Sequence, residues 1–402
     1  MEKYKIRSLL YAENFFVTFA VGIFLTLPLW FQSFGRNELF FGQVFAVGAV
    51  GALVCVLSSH WLLKRFGLSR FAPAGSLLFF IGSIIFLLES RSVMPSEPLL
   101  YLASLLHGMG WGIFLTQGPL CMSSTLEDKE RSYYFTIYGA YNTMGIGLAP
   151  IFCSLALKYL GMNYSNLYTL ACVTSFVAFL LSSKAANRNK LYATVGQNEA
   201  GASSQGIGTI MRLPSAFFLT MVVICACVYT SMMNFQATFA TSIGIDYTIF
   251  FSFYTLAVVS ARFGLSKSIA KFSPGFVIAA LALLMVIALT LLLYADLSVV
   301  VYAMGALLLG VSYGLLYPLI QAQAVNHAPS AMRAQALIAF SLSYLVARYL
   351  FPYLGAVAVQ EHGYRGLFFL LLIGTLANLG IATYFYTIGP GKAPSVNFAA
   401  DR

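Results

Sequence analysis

Charge is what this chain has least of. Asp, Glu, Lys and Arg make up 9% of its 402 residues, where an ordinary soluble domain carries roughly 25%. So little charge cannot solvate a surface of that size, which excludes a soluble enzyme or scaffold. Histidine is scarce as well, and the four present are too scattered to converge on a metal or a reacting centre. The six cysteines, at 55, 121, 153, 172, 225 and 227, contain no CxxC pair and read as small packing residues rather than a redox or metal site. No Gly-x-x-x-x-Gly-Lys-Ser/Thr loop is present, and no polar stretch is long enough to form a nucleotide-hydrolysing domain, so ATP coupling within the chain is disfavoured.

Apolar residues take the place of the missing charge, at 59% of the chain. They fall into stretches near the length of roughly 20 residues that a helix needs to cross a hydrocarbon core of about 30 Å. Spans are expected at 9–31, 40–60, 71–88, 99–120, 134–158, 166–183, 214–239, 247–266, 274–293, 298–320, 334–358 and 365–387. The expectation is an all-α membrane protein with twelve transmembrane helices.

The net charge of +10 implies no nucleic-acid partner, because its placement tracks the spans. With the N-terminus inside, the inner segments hold 17 Lys and Arg against four in the outer loops, Arg36, Arg91, Lys158 and Arg365. That excess places both termini in the cytoplasm, with membrane lipid as the chain's surroundings and a bacterial cytoplasmic (inner) membrane as the expected location. The first apolar stretch follows a short basic segment but lacks a small-x-small cleavage site before Trp30 and Phe31, so it is expected to stay as helix 1.

One long polar break interrupts the spans, 184–213, with the run Gly201-Ala202-Ser203-Ser204-Gln205-Gly206 inside it. It reads as a cytoplasmic linker between two six-helix bundles, 1–183 and 214–390, followed by a tail, 391–402. Even numbers of spans on each side give parallel repeats, the arrangement that alternating access by two rocking bundles uses. Glycines cluster in helix 2 (Gly42, Gly48, Gly51), helix 5 (Gly139, Gly145, Gly147) and helix 10 (Gly305, Gly310, Gly314). They permit close helix contacts in lipid. Pro28, Pro119, Pro150, Pro318 and Pro352 add expected kinks.

Several segments carry a family resemblance. His60-Trp61-Leu62-Leu63-Lys64-Arg65-Phe66-Gly67-Leu68-Ser69-Arg70 resembles the loop Gly-x-x-x-Asp-Arg-x-Gly-Arg-Arg/Lys that joins helices 2 and 3 in the major facilitator superfamily. Arg65 and Gly67 match, while His60 and Lys64 stand at the glycine and aspartate positions. A second copy after helix 8, Arg262 to Ser273, keeps a basic residue at Lys271 and also lacks the acid. Helix 5, with Gly145-Ile146-Gly147-Leu148-Ala149-Pro150, is similar to the antiporter motif of proton-driven exporters, with Ala149 in place of a glycine. The segments Glu130-Arg131 and Gly314-Leu315-Leu316-Tyr317-Pro318 are similar to the sugar-efflux-like and multidrug-efflux-like branches. The resemblance implies two pseudo-symmetric six-helix bundles, a cavity lined by helices 1, 4, 7 and 10, and a cytoplasmic gate drawn from Lys64, Arg65, Gly67, Arg262 and Lys271.

Ionisable residues inside hydrocarbon cost several kcal/mol unless they face protein or water, so the few present are functional candidates. Glu13, about 6 Å inside the expected start of helix 1, is either a proton site or an interfacial anchor. His107, some 12 Å into helix 4, is either a proton carrier or a hydrogen-bonded structural residue. Arg348, about 21 Å along helix 11, either binds an anionic substrate group or forms a structural pair. The uncharged cavity candidates are Asn14, Trp111, Gln117, Asn142, Asn234, Gln236, Tyr302 and Tyr313, which offer hydrogen bonds in an apolar wall.

The expected function is secondary transport, with proton-coupled export of a small organic solute first and an uptake permease for a nutrient second. A channel and a non-transporting receptor fit less well. No enzyme activity, cofactor or resident metal is expected, and a monomer suffices because one chain supplies both halves.

Overall fold

The structure is a computed structural model that describes residues 2–123, 125–126, 131–188, 207–269, 271–329 and 332–388. All regular structure among the described residues is helical. In lipid no water satisfies backbone N–H and C=O groups, and a helix satisfies them within one segment.

The first six spans are α1 (Glu2–Ile23), α2 (Glu38–Phe66), α3 (Leu68–Glu89), α4 (Glu97–Ser123), α5 (Arg131–Tyr159) and α6 (Tyr164–Arg188). The second six begin with α7 (Ser215–Ser242), α8 (Thr248–Ser260), α9 (Pro274–Leu293) and α10 (Val299–Asn326). A last continuous rod, Arg333–Thr387, is broken at Gly363 into α11 (333–362) and α12 (364–387). Among the described residues eleven rods are long and apolar enough to cross a membrane, and the break in the last one brings the spans to twelve. Both ends of the described chain therefore lie on one face, here the terminal face, opposite the loop face.

Local chemistry sets the ends. The Asn37 side chain accepts from Phe40 N at 3.1 Å to start α2, and Ser298 Oγ accepts from Val300 N at 3.0 Å to start α10. Gly67 takes φ 72°, donates to Leu63 O at 2.9 Å and accepts from Phe71 N at 3.0 Å, so one residue ends α2 and begins α3. A side chain there would be strained, which gives the glycine of the signature loop a backbone reason. Gly363, at φ 68°, performs the corresponding break between α11 and α12. Before Pro28, which has no N–H to donate, α1 tightens into a 3-10 turn, Phe24–Thr26, and continues as Leu27–Ser33.

Several expected boundaries move. α1 starts at residue 2 rather than 9, because the basic first turn is helical too, and α6 runs to Arg188, beyond the expected end at 183. A short helix, Ile207–Ile210, precedes α7. The remainder of the expected linker, 189–206, and the tail after 388 lie outside the described residues.

α1–α6 and α7–α12 form two bundles that meet along two seams, α2 against the α11–α12 rod and α5 against α8. At the first, a Cβ on Gly42 would stand 2.6 Å from Ala356 Cβ; at the second, a Cβ on Gly147 would stand 1.9 Å from Thr255 Oγ1. Glycine lets each pair of backbones close to a distance that a methyl group would prevent.

Candidate functional site

Two adjoining chambers lie between the bundles. The one nearer the loop face, about 120 Å³, is walled by Phe24, Phe41, Phe45, Phe86 and Trp111, with Ser104, His107, Thr230 and Asn234 as its polar groups. The one reaching toward the terminal face, about 220 Å³, is lined by Tyr229, Tyr254, Tyr313, Tyr317 and Tyr344 together with Asn142, Thr143 and Arg262. Ile146, Tyr229, Met233 and Arg348 line both. Among the described residues no Asp or Glu lines either chamber.

Arg348 stands at the junction. Its guanidinium carbon lies 5.2 Å from the Trp111 ring of the first half and 5.4 and 6.0 Å from the Tyr229 and Tyr344 rings of the second. These separations suit cation–π attraction. Its Nη1 donates to Tyr344 Oη at 3.4 Å, and no carboxylate among the described residues is within ion-pair distance. Thr230 Oγ1 donates to the Arg348 carbonyl at 3.0 Å, and Asn234 Nδ2 donates to the Thr230 carbonyl at 2.7 Å, so α7 fixes the backbone that carries the arginine.

Glu13 takes the opposite position, inside the first bundle. It is 2% exposed, and its Oε1 accepts from Gln117 Nε2 at 3.1 Å. The Gln117 oxygen accepts in turn from the Cys121 thiol at 3.2 Å. Glu13 lies several turns along α1 and is buried within the first bundle. Beside it, Asn14 Nδ2 donates to Tyr138 O at 2.6 Å, and Asn142 Nδ2 donates to Asn14 Oδ1 at 3.2 Å. Asn142 lines the larger chamber, so one amide pair separates the carboxyl's neighbourhood from the solute space.

His107 is packed on three sides: face to face on Phe79 at 4.0 Å, edge-on to Phe24 at 4.4 Å, and against Phe86 at 5.1 Å. Its Nε2 is 3.0 Å from Ser83 Oγ. It borders the smaller chamber, but no described carboxylate faces it. Gln236 and Tyr302, expected at the cavity, bond to each other at 3.0 Å within the second bundle, and neither lines a chamber. Trp111, Asn142, Asn234 and Tyr313 do line one, whereas Asn14 and Gln117 stand a layer behind. Tyr229, Tyr254 and Tyr344 were not singled out in the sequence. Tyr344 could have been, since it sits four residues before Arg348 on the same helical face.

Of the gate candidates, Lys64, Arg65 and Lys271 are exposed on the terminal face. Arg262 sits in a π turn, Ala261–Leu265; its Nε donates to Gly314 O at 3.3 Å, and a Cβ on Gly139 of α5 would stand 3.4 Å from its Nη1. Gly145 packs on Thr18 within the first bundle, Gly147 on Thr255 across the seam, and Pro150 lies within α5.

The halves are tied on the loop face. Asp246, in the α7–α8 loop, pairs with Lys158 at 2.5 Å and accepts from Ser154 at 3.4 Å, and Tyr364 Oη donates to Glu38 at 2.5 Å. Burial pushes the Asp246 carboxyl up, but the Lys158 and Thr248 hydrogen bonds outweigh it and hold the group below its ordinary value. No ion pair among the described residues joins the halves on the terminal face.

Two membrane bundles closed at one face around a solute-sized space define a transporter rather than an enzyme. The chain belongs to the Major Facilitator Superfamily, whose family model matches residues 8–352. It is a multi-pass integral membrane protein and a secondary transporter of that superfamily's kind. Among curated proteins it is similar to the galactose-proton symporter of Escherichia coli (strain K12), with 28% identity over 130 residues, 32% of this chain and 25% of the relative. The match thus spans about a quarter of that relative's length. Among solved structures it resembles an auto-inhibited POT family peptide transporter, with TM-score 0.74 and 11% identity over 99% of both chains. It also resembles the nucleoside transporter NupG, with TM-score 0.71 and 13% identity over 94% of this chain and 98% of that one. At such identities the likeness shows the shared fold.

Proposed function

We propose that this protein is a proton-coupled carrier of a small organic solute, working by alternating access, with Glu13 as its proton site. The observation that carries the proposal is the placement of Glu13: a carboxyl 2% exposed inside a span, held by the Gln117 amide, with no cation among the described residues to pair with it. Burying an unpaired charge is costly, and binding a proton removes that cost. Gain and loss of a proton at Glu13 therefore changes the bonds among α1, α4 and α5, which stand between it and the solute space.

For direction we propose symport, supported by the partial likeness to a galactose-proton symporter. Export is the second reading, favoured by the α5 glycine segment, whose Gly147 packs on Thr255 across the seam as a mobile interface would require. The excess of Lys and Arg on the terminal face supports a cytoplasmic placement of that face and a bacterial inner-membrane location. A monomer is sufficient, since both chambers are built from one chain.

The test uses oriented proteoliposomes with a pH-sensitive lumenal dye and a metabolite panel added under an imposed proton gradient. Compound-dependent proton movement with the compound supports symport, and movement against it supports export. Glu13→Gln should abolish gradient-driven accumulation while leaving solute exchange between the two sides. Undiminished proton flux in that variant would remove Glu13 from the mechanism.

A further inference from the structure

Resting on the reading of the inter-bundle chambers as the solute site, we infer that the solute is an organic anion: a carboxylate or phosphate-monoester head on an apolar body about the size of an aromatic ring or two. The head would bind Arg348, and the body would fill the chamber walled by Phe24, Phe41, Phe45, Phe86 and Trp111.

Three observations converge on this chemistry. Arg348 lies fifteen residues into the rod that starts at Arg333, about 22 Å along the axis, near the middle of a bilayer. A cation at that depth is stable only when it is paired or hydrated, yet the described chamber walls contain no acid. Among the described residues no acid supplies the counter-charge at this chamber, which leaves that part to what enters the space.

The second observation is how the guanidinium is held. Trp111, Tyr229 and Tyr344 lie at cation–π distance. The rings attract the positive charge without taking up its donors, and a guanidinium carries five N–H groups in its plane. Of its five donors, one has a hydrogen bond among the described residues, to Tyr344 at a long 3.4 Å. An in-plane fork with open donors matches a carboxylate or phosphate. Arg262 lines the larger chamber as well, but it already bonds Gly314 O and is not needed for the argument.

The third is the pairing of chemistries by position. Arg348 borders both chambers, so an anion on its N–H edge has apolar aromatic walls on one side and, on the other, the linked hydroxyls of Tyr313 and Tyr344, 3.2 Å apart. Together the chambers fall near the lower end of the volumes that hold drug-sized ligands. A polyhydroxylated sugar would leave its hydroxyls facing phenylalanine, whereas an anion with an apolar body satisfies both sides.

The experiment is titration calorimetry on the purified full chain with four probes that share a phenyl body: phenylacetate, phenyl phosphate, phenylacetamide and phenethylamine. We expect at least one anion to bind about tenfold or more tightly than the neutral amide, and the amine to bind weakest. Arg348→Gln should erase the preference while leaving the amide's affinity within about twofold, and Arg348→Lys should keep part of it. The wild-type comparison stands without any variant, so a misfolded variant does not weaken the test. Equal binding of acid and amide, tighter binding of the amine, no binding of any probe at millimolar concentration, or a preference that survives in folded Arg348→Gln would each overturn the inference. Calorimetry needs no gradient and no turnover, so loss of proton coupling in vesicles would sink the carrier reading while leaving this result to stand or fall alone.

Discussion

Glu13 and Arg348 are both ionisable residues within spans, and the two bundles treat them in opposite ways. The first bundle folds Glu13 inward, sets an amide against it and closes the chamber wall in front of it through Asn14 and Asn142. The second bundle turns Arg348 outward into the space between the halves, with aromatic rings around it and most of its donors open. The difference follows from what each group can do about its charge. A carboxyl can shed its charge by taking a proton and can therefore tolerate enclosure. A guanidinium stays charged at any physiological pH and must face something that carries the opposite sign. Enclosure suits a switch, and exposure to a cavity suits a binding site.

The variants that would break this division can be ranked by expected effect. Glu13→Gln keeps the Gln117 contact but removes the titrating group, so accumulation driven by a pH gradient should fall to the level of empty vesicles, with counterflow retained. Arg348→Gln should instead depress accumulation and counterflow together, about tenfold or more, because binding precedes both. If the two variants gave the same pattern, the distinction between switch and site would fail.

Gly147→Val tests whether the seam between the halves must close. Its Cβ would fall 1.9 Å from Thr255 Oγ1, so α5 and α8 must separate, and overpacking of this kind costs about 1–3 kcal/mol. The loop-face-closed state should lose population, read as a several-fold rise in labelling of a cysteine placed at Phe41, in a background where the native cysteines are unreactive.

A smaller effect is expected at the latch. The Lys158–Asp246 pair is partly exposed, with side chains 48% and 34% accessible, and such a pair contributes at most about 1 kcal/mol. Asp246→Asn should shift the access equilibrium by about fivefold or less, measured as the same labelling rate. The sign of its pH dependence follows from its lowered carboxyl value. The contact is fully present above the ordinary value of 3.8 and is lost only as pH falls through the lower value it has here. Between pH 5 and 8, on the order of the physiological range, the latch is constant, so a pH profile that changes there reports another group. In Asp246→Asn that profile should be unaltered.

His107→Phe should have the least effect on coupling. Its ring is stacked among phenylalanines, and Phe keeps that packing while losing the Ser83 hydrogen bond, worth about 0.5–1.5 kcal/mol. Lower thermal stability with proton flux intact is the expected result. Loss of flux would move the switch from the first bundle's interior to the chamber wall.

Much of the fold was legible because its signals are local. Span length depends on a few neighbouring residues and a bilayer of fixed thickness. The site was legible in part. Arg348, Trp111, Asn142, Asn234 and Tyr313 stand out as polar or aromatic residues in apolar runs, and they do reach the chambers. Gln236 and Tyr302 have the same local signal but bond each other inside a bundle. Which face of an apolar helix turns inward is weakly marked when lipid and protein interior are equally apolar, so periodicity separates the two poorly.

What the sequence determined by itself was the class of the molecule: a chain with 9% charge and repeated apolar runs can only be a helical membrane protein of many spans. It also marked which side chains are expensive in a membrane. Only the tertiary structure decided how each expense is met, enclosing Glu13 beside Gln117 and opening Arg348 to a space without acids. Those outcomes depend on residues more than a hundred positions apart being brought within a few ångströms, and no local pattern encodes that distance.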